Sequence, residues 1–549
     1  MTGPASPPWA GTERVLYVGG RIYSPVSPFA TAMLVDGDTV AWLGEDSAAA
    51  AHRDSADRVV HLAGALVTPG FVDAHVHATS TGLTLGGLDL SRADSLAAAL
   101  TMLEARARDL RGAPILGHGW DETRWPEGRP PTRAELDRAS WGSVVYLSRI
   151  DVHSAAVSSA LAASVPGLPD LPGWDPQGPL SREAHHAVRE AALGTIGQGQ
   201  RTAAQRLTRT TAASLGVVAL HEMAGPTISS EADLLDLLAL SREEPGPLAT
   251  GYWGQLARDG GVDRARDLGA VGAGGDLFVD GAIGSRTACL CTPYSDAPGV
   301  TGAAYHSADE VAEHVVAATR AGLQAGFHVI GDAAADTIVA GLARAAEQVG
   351  APAMRAAGHR LEHAEMLTDA HIDVLADLGV TASMQPMFDA LWGGPGGMYE
   401  QRLGAERAGG MNRFADLVAR GVLVAFGSDA PVTDLGPWAA VRAATQHSVP
   451  TQSLTARAAF SAHTRGGWRA IGRPDSGVLA PGAPAHLAVW AVDEVVVQTP
   501  DERVAGWSTD PRSGTPGLPL LASDTPLPSC LRTVVAGCTV HDSGSLDEA

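Results

Sequence analysis

Short apolar runs broken by Gly and Asp-Gly turns open the chain. Val15-Leu16-Tyr17-Val18, Ala32-Met33-Leu34-Val35 and Val40-Ala41-Trp42-Leu43-Gly44 each have strand length and turn residues between them, which predicts hairpins. The far end has the same texture, in Ala485–Trp490, Val495–Val497 and Thr533–Gly537. Two β-rich ends around a longer middle predict one small β-sandwich domain, built from residues 1–66 and 474–549. The middle changes rhythm. Strand-length apolar runs at 216–222, 248–253, 276–280, 323–329, 359–363, 380–385 and 422–429 alternate with helical periods, for example 308–321, 333–348 and 368–378. With the run Val67–Val76 these make eight strands, so an α/β fold of the (β/α)8 TIM-barrel type is expected over 67–78 and 207–473. Residues 79–206 do not fit that count. They carry their own strands and helices, such as 144–147 and 184–194, and read as an inserted α/β subdomain acting as a lid or substrate-recognition element.

Polar residues gather where the predicted strands end. The first ends in His75-Val76-His77, and on an extended strand residues i and i+2 face the same way, so both imidazoles converge. The second ends in His221-Glu222, the fourth in Asp280, the fifth in His328, the sixth in Glu362-His363 and the eighth in Asp429. Catalytic groups of such barrels come from the C-terminal ends of several strands. Histidines and carboxylates at one strand end after another point to a divalent metal, since imidazole and carboxylate are its common ligands.

Composition narrows the class without choosing a substrate. The 549 residues are 45% hydrophobic and 18% charged, as expected of a globular protein. The formal charge of −22 argues against nucleic acid or an anionic membrane surface as partner. All 39 basic residues are arginine, so neither a lysine Schiff base, a P-loop lysine nor a carbamylated lysine is available. Cys289, Cys291, Cys530 and Cys538 are too few and too oddly spaced for a disulfide framework or a CxxC zinc site. Met1–Ala10 shows no basic region followed by an apolar core, and no apolar run reaches about 18 residues. A cytoplasmic enzyme acting on a small molecule is the expectation.

Several segments together resemble the amidohydrolase superfamily: Pro69-Gly70-Phe71-Val72-Asp73-Ala74-His75-Val76-His77, then His328, Arg360-Leu361-Glu362-His363-Ala364 and Gly427-Ser428-Asp429-Ala430-Pro431. Further marks are similar to amidohydrolase family 3, the YtcJ-like and N-substituted formamide deformylase-like group. These are Gly117–Trp125, Asp151-Val152-His153, Asp280–Ala288, His328–Asp332, Met384-Gln385-Pro386 and Pro481–Leu487. The resemblance runs through nearly the whole chain in the family's order. It implies a metal-dependent hydrolase of a non-peptide C–N bond, such as that of an N-substituted formamide or N-acyl amine, with one or two divalent ions, zinc first, and a homodimer. It implies His75, His77 and Asp429 as ligands of the more buried metal, His328 and His363 as ligands of a second, and Asp429 as general acid/base.

One departure matters. Many relatives bridge two metals with a carbamylated lysine on the fourth strand, where this chain reads Gly275-Asp276-Leu277-Phe278-Val279-Asp280. Glu222 at the end of the second strand is the expected replacement, with Asp280 as fallback. The alternative is a mononuclear deaminase of a cyclic amidine or heterocycle, with His75, His77, His328 and Asp429 on the metal and His363 as electrophile or proton shuttle. A barrel without activity, serving in binding or regulation, is the third reading; an intact His/Asp set argues against it. Trp120, His118, His153, Arg286 and Gln385 are the expected pocket residues. Packing or ion pairing explains each of them equally well.

Overall fold

The computed structural model describes residues 6–149, 154–498, 507–508 and 516–548. Eight parallel strands form one sheet in sequential order: β1 (Phe71–Val76), β2 (Val217–Ala224), β3 (Leu248–Trp253), β4 (Gly272–Ala273), β5 (Gln324–Val329), β6 (Arg360–His363), β7 (Thr381–Met384) and β8 (Val424–Phe426). A parallel bridge between Val76 and Ala430 joins the eighth strand region to the first and closes the barrel. All eight residues of β2 are buried, as expected where a parallel strand lies between a filled interior and a helix layer.

The expected elements and the observed ones agree to within a few residues, with two exceptions. The run Val67–Val76 is two strands, Leu66–Pro69 in a sheet of the small β-domain and β1 in the barrel. The apolar pattern predicts the fourth strand at 276–280, but the ladder is only Gly272–Ala273. Gly274 and Gly275 follow with φ of +137° and +82°, angles that favour glycine and end the extended run. The chain then rejoins β5 through a single bridge from Phe278 to His328.

Among the outer helices are α1 (Glu231–Glu243), α2 (Ala308–Ala321), α3 (Asp332–Val349), α4 (Asp369–Leu378) and α5 (Pro386–Trp392). Sequence explains α2 in full. Ser307 and Glu310 form a reciprocal capping box, Val311, Val315 and Ala318 recur on the buried face, and Gly322 ends the helix at φ +72°. Its apolar face joins the main core with Phe327, Ile338 and Leu342.

Both chain ends build the small β-domain. One sheet has the order Asp547–Glu548, Arg58–His61, Arg14–Val18, Ala32–Asp36 and Thr39–Gly44; the other runs Arg21–Ile22, Leu66–Pro69, Leu487–Ala491, Ser529–Val535 and Cys538–Asp542. Their facing side chains, among them Tyr17, Met33, Val67, Leu487 and Val534, share one core.

Ala78–Thr208 is a compact unit of its own. It has a five-stranded mixed sheet and two buried clusters, one around Leu103, Ile115 and Trp120 and the other around Leu161, Leu180 and Val188. Among the described residues, no helix is long and apolar enough to cross a membrane.

Candidate metal centre

Four imidazoles converge at the C-terminal ends of β1, β5 and β6, and each is fixed by its outer nitrogen. His75 Nδ1 donates to Glu362 Oε2 at 2.9 Å, and His77 Nδ1 donates to the Met223 carbonyl at 3.1 Å. His328 Nε2 donates to the Gly281 carbonyl at 3.3 Å, and His363 Nδ1 donates to Gln385 Oε1 at 2.8 Å. Each outer partner is an oxygen acceptor, so the outer nitrogen carries the hydrogen. In the neutral ring the inner nitrogen is therefore a bare lone pair.

Those inner nitrogens face carboxylates, not donors. His75 Nε2 and His77 Nε2 each lie 3.3 Å from Asp276 Oδ2, and 3.3 and 3.2 Å from Asp429 Oδ1. His328 Nδ1 and His363 Nε2 each lie 3.5 Å from Asp276 Oδ1. His75 Nε2, His328 Nδ1, Asp276 Oδ1 and Asp429 Oδ1 are buried without a hydrogen-bond partner. Lone pairs facing carboxylate oxygens in a buried site call for a positive charge between them, and the donor set suits a divalent ion. Protons alone would have to fill that role otherwise. Burial opposes charging His77, but the Asp276 and Asp429 carboxylates outweigh it and raise its pKa to about 10; they carry His75 well above its usual range in the same way. Burial likewise opposes ionising Asp276 and Asp429, and the imidazoles hold both well below the usual carboxylate range.

Backbone strain and close approach position these groups. His363 and Asp429 have φ of +68° and +56°, left-handed conformations that cost non-glycine residues about 1–3 kcal/mol and that cluster at functional sites. Gly427 lets β8 approach β1, since a Cβ there would sit 2.5 Å from the His75 nitrogen. Asp73 Oδ1 accepts from the backbone N–H groups of Ser428 and His75, tying the two strand ends together.

The amidohydrolase family profile matches residues 58–541, which is most of the chain. The chain belongs to the amidohydrolase family. It is 27% identical over 481 residues to the LONG AFTER FAR-RED 3 protein of Arabidopsis thaliana, covering 81% of this chain and 80% of that one. It is 25% identical over 512 residues to an N-substituted formamide deformylase of Arthrobacter pascens, covering 86% and 92%. Among solved structures, an uncharacterized metal-dependent hydrolase from Pyrococcus furiosus superposes with a TM-score of 0.72 at 26% identity, over 87% of this chain and 98% of that one. This amidohydrolase is accordingly an enzyme, a hydrolase of carbon–nitrogen bonds other than peptide bonds.

The amidohydrolase places the expected ligands His75, His77, His328, His363 and Asp429 around one centre, but not the expected bridge. Glu222 is laterally paired with Gly251, and a Cβ on Gly251 would meet Leu234 of α1 at 2.6 Å. Paired residues of parallel strands share a face, so Glu222 points toward the helix layer. Its neighbour His221 points inward, to within 3.4 Å of Arg360. The fallback Asp280 is committed elsewhere: its carboxylate accepts from the backbone N–H groups of Cys289, Ile330 and Gly331 and fastens the loop after β4. Asp276 occupies the place between the two histidine pairs.

The expected pocket residues divide. Gln385 orients His363, and its amide nitrogen is buried without a partner. Trp120 packs in the core of the unit 78–208 and donates to the Leu147 carbonyl at 2.8 Å. Arg286 makes a two-pronged pair with Asp296 at 3.0 and 2.7 Å. His118 lies 3.9 Å from Asp89. His153 lies outside the described residues.

Three contributors are not among the expected ligands or pocket residues. Asp276 is one. Glu362 and Arg360 are the others: the fully buried Arg360 donates to Glu362, to Ser383 Oγ at 2.8 Å and to the Ala74 carbonyl at 2.7 Å. Burial works against ionising Glu362, but Arg360 overrides it and holds the carboxyl at about 2, so an anion always backs His75. Both stand in the Arg360-Leu361-Glu362-His363 motif, where alternation puts 360 and 362 on one face. Arg360 also lies over the Tyr252 ring, 4.6 Å from its centroid.

Proposed function

We propose that the protein hydrolyses the C–N bond of a small amide, such as an N-substituted formamide or an N-acyl amine, with zinc as the resident metal. The observation that carries this reading is the set of buried lone pairs facing the Asp276 and Asp429 carboxylates. His75, His77, His328, His363, Asp276 and Asp429 would hold the metal, which when bound supplies a Lewis acid for the carbonyl and a water of lowered pKa. Asp429 is anionic at neutral pH, is held at the site's edge by the eighth strand, and accepts the proton of the attacking water. The same carboxyl then delivers that proton to the departing nitrogen, so that amide and water become carboxylic acid and amine. His363, locked by Gln385 and stacked on Phe388 of α5, is held with its lone-pair nitrogen toward Asp276 and so serves as a ligand, not as a donor to the substrate. The formal charge of −22 supports a small-molecule substrate over nucleic acid.

The test is a panel of N-substituted formamides, N-acyl amines and cyclic amidines presented to zinc-loaded protein, with products identified by mass spectrometry. Release of amine and carboxylate from the open-chain amides is expected. Ammonia release from the cyclic amidines alone would favour a deaminase. No turnover of any class by metal-replete protein would favour a binding role.

A further inference from the structure

We propose that Asp276 bridges two divalent cations, giving one carboxylate oxygen to each, and so replaces the carbamylated lysine this chain cannot form. The inference rests on the metal-hydrolase reading of the site and goes beyond it by assigning the count and the bridge. Asp276 is buried, and its two oxygens divide the four imidazoles between them. Oδ2 faces His75 and His77 at 3.3 Å, while Oδ1 faces His328 and His363 at 3.5 Å. Each of those four nitrogens is the lone-pair nitrogen of a ring whose other nitrogen donates outward. A single cation would leave one pair of lone pairs facing an anionic oxygen with nothing between them. One cation on each side satisfies both pairs, with Asp429 adding its oxygen on the side of His75 and His77.

Reach is the obstacle to such a replacement. An aspartate carboxyl lies one bond beyond its Cβ, whereas a lysine carbamate extends several bonds further, so the backbone must come closer. Three glycines bring it there. A Cβ on Gly274 would lie 2.2 Å from the Gly326 nitrogen, one on Gly326 would lie 2.4 Å from the Gly275 nitrogen, and one on Gly275 would lie 2.6 Å from Met223 Sδ. Gly274 and Gly275 also carry the positive φ angles that turn the chain inward just before Asp276. The short ladder of β4 and the short side chain are thus two halves of one arrangement.

Metal content and electron paramagnetic resonance of the manganese-loaded protein test this without reference to turnover. The wild-type chain should bind two equivalents, equally well in buffer purged of carbon dioxide and in bicarbonate. Its spectrum should show an exchange-coupled pair in place of the six-line signal of isolated ions. Asp276→Asn should retain one equivalent or fewer, with at least tenfold weaker binding, and Asp276→Glu should recover more of it than Asn does. Wild-type saturation at one equivalent, two uncoupled ions, or two coupled ions in Asp276→Asn would each overturn the bridge. A wild-type chain that saturates at one equivalent or holds uncoupled ions overturns the bridge even if the variants fail to fold. Two coupled ions without turnover on any amide would instead remove the substrate assignment and leave the bridge standing.

Discussion

Two groups of buried histidines in this barrel have the same side chain and opposite chemistry. At the mouth, His75, His77 and His328 face carboxylates that overcome burial and raise their pKa values. In the frame, burial dominates: His314 and His359 are lowered to about 4, and His221 to about 3. Of these, His314 and His359 serve as neutral hydrogen-bonding joints. His314 accepts from the Ala257 N–H and donates to the Ala273 carbonyl, each at 3.0 Å, while His359 accepts from Ala325 and meets Thr319 Oγ1, each at 2.9 Å. A mouth histidine has one satisfied nitrogen and one lone pair aimed at an anion. What distinguishes a ligand from a joint is therefore the partner of the second nitrogen, not burial.

The comparison breaks most visibly at Asp429. Asp429→Asn keeps the shape of the mouth but loses the proton acceptor, so turnover of a cleaved amide should fall by about 10²–10⁴-fold, read from kcat. A loss below tenfold would mean that another group moves the proton.

The layer behind His75 comes next. Removing one partner of a buried ion pair costs roughly 3–5 kcal/mol, so Arg360→Met and Glu362→Gln should each lower the free energy of unfolding by that amount. Glu362→Gln should also weaken zinc binding by about 10–100-fold, measured by competition with a chelator, because His75 loses its anionic support. The double variant Arg360→Met/Glu362→Leu should regain much of the stability and none of the affinity. Affinity returning with stability would show that the pair acts through packing alone.

The frame should fail in acid. The folded-state pKa values of His314 and His359 lie below the unfolded value of about 6.5, so the unfolded chain takes up protons first as pH falls. The stability they provide is complete above about 6.5 and is lost between there and about 4, on the order of 3 kcal/mol for each. Denaturant unfolding across that range should show the decline. His359→Ala should flatten it while costing about 1–3 kcal/mol at pH 8, with metal content unchanged. Loss of metal in that variant would erase the distinction between joint and ligand.

These differences explain what the sequence reveals. The mouth histidines are legible because His75 and His77 share a strand face, and the ends of the fifth and sixth strands are marked by His328 and His363. Glu222 misleads by one position of alternation: the inward residue at that strand end is His221, and no spacing rule says which of two adjacent polar residues faces in. Asp276 is hidden for a backbone reason. The apolar pattern extends the fourth strand through Phe278 and Val279, whereas Gly274 and Gly275 end it early, so the polar residue that matters precedes the expected strand end. The Gly-Gly pair was the available signal, since two glycines beside an acid mark a turn or a close approach. The Arg360–Glu362 pair was written in a motif but needed Ala74 and Ser383 from other strands to show its purpose.

The smallest expected effect concerns Arg286, which lies in a family-matching segment yet is spoken for by Asp296. Arg286 and Asp296 are both partly exposed, and such pairs contribute about 0–1 kcal/mol once solvent screening is counted. Arg402 shares the same carboxylate and would keep it neutralised. Arg286→Gln should therefore shift the unfolding free energy by less than about 1 kcal/mol and leave kcat and KM near their wild-type values. A large rise in KM with kcat unchanged would mean that the guanidinium leaves Asp296 to bind substrate. Arg286 would then join the mouth in function while standing outside its ligand set.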